Sequence, residues 1–184
     1  MAGCVGNIDT GAKRSGKGGE VDPPGYGGST GITGPSACKE DQIGISPLRR
    51  LTRTQYDNSI KDLLGVDLGL SQHFSEDELA GPFAGNYFTP ISESQYTQYA
   101  TAAATAAFKT VERLAQLLPC AAAGGDDACA GQFIRQFGRR AYRRPLTGEE
   151  IALLESVYAQ GGDFATGIRL VIAGLLQSPK FLYL

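Results

Sequence analysis

His73 is the sole histidine of a 184-residue chain. A Ser-His or Cys-His nucleophile pair would therefore have to be built on it. Asp77 and Glu78 follow within five residues, and the three side chains are of metal-ligating type. Their spacing is loose and the surrounding stretch irregular, so they read as a solvated loop. Four arginines, Arg139, Arg140, Arg143 and Arg144, face two carboxylates, Glu149 and Glu150, across a proline. Such a group serves either as an anion or nucleic-acid patch or as a salt-bridged helix corner. The acids just across the turn favour the corner. Phe83, Tyr87 and Phe88 crowd one loop, where aromatic rings can stack on sugars or plug a core. Ser15–Gly19 (SGKGG) lacks the Gly-x-x-x-x-Gly-Lys-Ser/Thr spacing of a phosphate loop and a strand before it.

The cysteines divide by position. Cys120 and Cys129 bracket a short loop, CAAAGGDDAC, between two helix signals. In an exported protein they read as a disulfide tying two helix ends together, the alternative being two buried thiols. The spacing is too long for a Cys-x-x-Cys redox pair, and no further zinc ligands stand nearby. Cys4 closes a Met-Ala-Gly-Cys start that looks like the lipidation site of a bacterial lipoprotein signal, without the charged and apolar parts of one. Val5 to about Pro47 is rich in glycine, proline and serine, and too poor in large apolar side chains to offset the entropy of ordering. It reads as a flexible tether.

The elements that must position these residues are helices. Thr52 with Gln55, Ser92 with Gln95 and Thr147 with Glu150 are capping boxes, each with an apolar staple. Tyr56, Ile60, Leu63 and Leu64 share a face that ends at Gly65. A long helix is expected from Ser92 to about Leu118, with a run of alanines that lets a neighbour approach closely. Pro119 ends it. Asp126 or Asp127 caps the next helix, which runs through Phe133 and Phe137 into the arginines and should stop at Arg144 before Pro145. Its last turns carry the arginines and the following first turn carries Glu149 and Glu150, each matched to the local dipole. Ile151–Tyr158 and a very apolar helix from Asp163 complete the set, and the latter should be the most buried. The expectation is an all-α fold, about five helices in a small bundle after a disordered tether. Residues 1–46 are the lipobox-like start and linker. Residues 47–119 and 120–184 are two helical domains packed as one unit. The apolar end, Phe181–Leu184, suggests that the natural chain continues or that the end packs into a groove. A net charge of −2 argues against a dedicated nucleic-acid binder.

Two stretches resemble a known series. RRLTRTQYDNSIKDLLG looks like the opening of one of the planctomycete-type PSD domains of unknown function, and GPFAGNYFTPISESQYTQYATAAATAA fits its later part, with Asn86 in the aromatic-asparagine stretch. FGRRAYRRPLTGEE with LLQSPKFLYL looks like another domain of the series. The resemblance covers roughly residues 47–107 and 128–184. It implies a large exported protein of the kind found in planctomycetes and myxobacteria, in which further domains follow and often carry haem c. This chain holds no Cys-x-x-Cys-His, so no cofactor is expected in it, and haem c would belong to downstream domains. No catalytic residue transfers from the family. Cys38 could pair with a cysteine of a domain outside this chain.

Three functions follow as expectations. The first is a non-catalytic scaffold or interaction module of an exported lipoprotein, extracytoplasmic, either anchored by lipid at Cys4 to the bacterial envelope or secreted. Its partners would be downstream domains or another envelope protein. The second is the front of a multidomain c-type haem redox protein. The third is a polysaccharide-binding surface using Phe83, Tyr87 and Phe88. No nucleophile–base pair stands out, so the chain alone leans away from an enzyme.

Overall fold

The computed structural model describes residues 48–87 and 89–184. The expectations for Cys4, Cys38 and the tether lie outside the described residues. The fold is all-α, with five helices of 12 to 19 residues. In chain order they are α1 (Arg53–Leu64), α2 (Glu93–Val111), α4 (Asp127–Ala141), α5 (Gly148–Ala159) and α6 (Phe164–Gln177). Two four-residue helices, α3 (Leu114–Leu117) and α7 (Pro179–Leu182), join them, with a two-residue hairpin of β1 (Leu79–Ala80) and β2 (Phe83–Ala84). The hairpin pairs Leu79 with Ala84 and Ala80 with Phe83. The sequence had shown no strand period there, because two residues are too few to establish one.

Each long helix starts where its cap residue predicts. Thr52, Ser92 and Thr147 accept from the N–H three residues on, and Gln55, Gln95 and Glu150 reach back to complete the boxes. Asp126 and Asp163 cap α4 and α6 in the simpler way. The core centres on α6. Ile168, Val171, Ile172, Leu175 and Leu176 have no exposed surface. α2 lies against α6, and Ala103, Ala106 and Ala107, also fully buried, present little bulk on that side. α4 and α5 pack on α6, and α1 packs on α4. A ring cluster of Tyr56, Phe74, Tyr99 and Phe181 fills the space beside α1, with centroids 4.6 to 5.9 Å apart. The described residues belong to one compact unit.

Two helices are shorter than expected. The helix from Ser92 leaves helical geometry at Arg113 (φ −123°, ψ 16°) rather than running to Leu118. Cys120 must come within 5.9 Å of Cys129, Cα to Cα. A straight helix would carry the chain away at about 1.5 Å per residue. The helix before the arginine corner stops at Ala141, so Arg143 and Arg144 stand beyond it. Tyr142 caps it, and Arg143 takes a left-handed φ of 58°. That conformation usually selects glycine. Here both guanidinium Nη atoms of Arg143 donate to the Phe181 carbonyl at 3.2 Å, and the guanidinium lies 5.7 Å from the Phe181 ring centroid.

Candidate functional site

Two polar clusters hold the charged residues of the motifs. The first lies where the chain enters α1. Arg49–Leu51 is paired on both sides. The Arg50 N–H donates to the Asn86 carbonyl (3.1 Å), the Leu51 N–H to the Leu182 carbonyl (2.8 Å), and Arg49 and Leu184 exchange backbone bonds of 3.2 and 2.8 Å. The final residues therefore pack beside the entry to α1, with Phe181 and Leu182 buried and Leu184 partly exposed. Asp77 accepts the Arg53 N–H with both oxygens (3.1 and 2.9 Å). This places a carboxylate at the positive end of α1. Asn86 is buried and spans the gap. Its amide donates to the Leu51 carbonyl (3.0 Å) and to Asp77 (2.8 Å), and its oxygen accepts from the Glu78 N–H (2.9 Å). Arg53 donates from Nε to the Ser71 carbonyl (3.0 Å). Arg50 is 2% exposed. Its Nη1 reaches the Thr89 carbonyl at 3.4 Å, while its Nε has no hydrogen-bond partner, and neither has the Tyr56 hydroxyl. Burial pushes the Tyr56 and Tyr99 phenols above their ordinary value, and Arg50 beside Tyr99 draws that one partly back.

The second cluster is the arginine corner. Arg144 grips the buried Glu150 carboxylate with two bonds, Nη1 to Oε2 at 2.9 Å and Nη2 to Oε1 at 2.7 Å. Lys180 of α7 closes on the same Oε1. Glu150 Oε2 also accepts the Thr147 N–H (2.8 Å). Arg144 first, then Lys180 and Thr147, hold this carboxyl well below the usual carboxylate range against the opposing cost of burial. Arg140 donates to the Asp62 and Leu63 carbonyls at the end of α1 and pairs with the Asp62 carboxylate (3.2 Å). Arg140 and Arg143 thus meet carbonyls near the C-terminal ends of α1 and α7, where cations are favoured. Arg139 and Glu149 are exposed.

The remaining expected residues are dispersed. Phe83 sits on β2 with 74% of its surface exposed. Tyr87 is half-buried, and its ring lies so close to Gly85 that a Cβ there would meet it at 2.3 Å. Phe88 lies outside the described residues. Cys120 and Cys129 form a disulfide. His73 is exposed on a 3₁₀ turn after α1 and meets neither Asp77 nor Glu78 in a ligand set. Among the described residues no three His, Cys, Asp or Glu side chains group to hold a metal. The described residues also contain no helix long and apolar enough to cross a membrane.

Sequence reasoning missed Arg50, Asp77 and Lys180 as members of these clusters. Each acts on a residue distant in the chain, as Lys180 does on Glu150. Asn86 carried a signal, a polar residue inside an aromatic stretch.

Residues 49–112 match the PSD3 model, protein of unknown function (DUF1587), and residues 129–184 match the PSD5 model, protein of unknown function (DUF1595). No curated protein matches the chain, and no solved structure does. The entry cluster around Asn86 falls mainly in the first matched segment and the arginine corner in the second. The chain therefore carries two members of the PSD series of domains of unknown function.

Proposed function

We propose that residues 48–184 act as a non-catalytic helical scaffold in an exported lipoprotein, held to the envelope through Cys4 and working with downstream domains or another envelope protein. One observation carries this reading. The side chains of Asp77 and Asn86 at the entry to α1, and of Arg140, Arg143, Arg144 and Glu150 at the corner, are bound to helix ends or to one another. The Cys120–Cys129 disulfide supports an oxidising compartment. The test is recovery of the native protein from its envelope fraction, with intact mass and absorbance spectrum. The expected result is a lipid-bearing Cys4, a co-purifying partner or covalent downstream domains, and no haem band from the 184-residue chain alone. Turnover or a haem band in that isolated chain would overturn the reading.

Exposed Phe83 favours a second reading, a sugar-stacking surface on the hairpin. An aromatic ring open to solvent can lie on a pyranose face. Retardation on polysaccharide gels should then fall when Phe83 is replaced by alanine. Unchanged retardation would remove this reading.

A further inference from the structure

Among the described residues, Arg143 alone has a left-handed φ without being glycine. Such a conformation is strained and persists only where surrounding contacts hold it. Here it delivers the guanidinium to the Phe181 carbonyl. That carbonyl occupies two of the five N–H donors of the group. No carboxylate among the described residues pairs with Arg143. Burial draws its pKa below the ordinary arginine value. This is the behaviour of a cation that has lost water without gaining an anion.

Beside Arg143 lies a cavity of about 300 Å³, where α1, α4 and α7 meet. Its floor is apolar, since Leu63, Ala141 and Phe181 are buried. Its rim is polar. Asn58 and Ser59 come from α1, and neither side chain has a hydrogen-bond partner among the described residues. Arg140 and Asp62, paired at 3.2 Å, complete the rim with Arg143. An apolar floor under a few convergent polar groups is the usual make-up of a small-molecule site, and this volume lies at the low end of the usual range. It suits one sugar-sized molecule.

The charges select among ligands. Two guanidinium groups against one carboxylate leave a single positive charge at the rim. Asp62 and the negative end of α1 oppose any further negative charge. A singly charged anion is therefore favoured over a dianion. The planar fork of a guanidinium matches a carboxylate. The Asn58 amide and the Ser59 hydroxyl are uncharged and both donate and accept, which suits hydroxyl groups on the ligand.

We propose that this cavity is a binding site for a singly charged sugar acid, its carboxylate on Arg143 and Arg140 and its hydroxyls on Asn58 and Ser59. The site is separate from the hairpin that carries Phe83, and it does not depend on the scaffold reading.

The test titrates the 184-residue chain, with the Cys120–Cys129 pair oxidised, with sodium glucuronate in a calorimeter. The expected Kd is about 1 mM or tighter. Glucose lacks the carboxylate and acetate lacks the hydroxyls, and each should bind at least about tenfold more weakly. Inorganic phosphate should also bind more weakly, and Asp62→Asn should narrow its gap to glucuronate. Amide shifts in NMR spectra should centre on residues 58–63, 140–143 and 181. Because Arg143 also holds Phe181, the decisive variants are Asn58→Ala and Ser59→Ala, whose side chains hold nothing in the fold. Together they should weaken glucuronate at least about tenfold, with the melting temperature of the free protein unchanged. No binding at about 10 mM glucuronate overturns the proposal. So does glucose or acetate binding as tightly as glucuronate, or a glucuronate affinity that the Asn58→Ala/Ser59→Ala protein retains.

Discussion

Asn86 satisfies three groups at once: the Leu51 carbonyl, the Glu78 N–H and the Asp77 carboxylate. Replacing it with alanine leaves buried partners unpaired, so Asn86→Ala should cost about 2–4 kcal/mol in denaturant unfolding. Asn86→Asp sets a second carboxylate against Asp77, 2.8 Å from the present amide. That variant should be weakest at neutral pH and recover part of its loss as either acid protonates. Glu150 carries the opposite charge logic. Its folded-state pKa is depressed, so its contribution is fully present above the ordinary glutamate value of about 4.3 and is lost as the pH falls below it. Glu150→Gln should therefore destabilise by about 1–2 kcal/mol at pH 7. A fully buried pair would cost more, but the Arg144 and Lys180 side chains are 43% and 51% exposed and partly screened. The gap to the parent protein should narrow from about pH 5 downward. A gap that stays constant to pH 2 would mean that the ion pair carries none of the stability.

Helix ends set the organisation at the next scale. Every long helix begins at a side chain that accepts a backbone N–H, and that pattern was legible because a capping box spans only four residues. The apolar faces of α1 and α6 were legible for the same reason, since periodicity is local. The break after Val111 was not, because it answers to Cys129, nine residues beyond Cys120. The left-handed Arg143 was hidden likewise, since its partner Phe181 lies 38 residues away. Of the candidate site, the Arg144–Glu150 contact could be read from a turn of six residues. The junction of Arg50, Asp77 and Asn86 joins three separate segments and could not. The disulfide closes a short loop between α3 and α4. Reducing it should lower stability by about 2–3 kcal/mol, measured as a fall in melting temperature with dithiothreitol. Cys120→Ser/Cys129→Ser should match the reduced protein. A reduced protein as stable as the oxidised one would show that the loop is held by its packing alone.

At the scale of the molecule, the two PSD segments share one interior. α2 of the first lies against α6 of the second, Arg140 reaches back to the end of α1, and the last residues pair with Arg49–Leu51 at the entry to α1. Tyr56 from the first and Phe181 from the second meet edge to face, with centroids 5.8 Å apart. Neither segment can bury its own apolar face without the other. On the scaffold reading proposed above, residues 48–184 would act as one rigid body rather than two jointed ones. The most direct measurement is differential scanning calorimetry of the 184-residue chain at neutral pH. The account predicts a single transition whose calorimetric and van't Hoff enthalpies agree. Two resolved transitions, each assignable to one PSD segment, would contradict it.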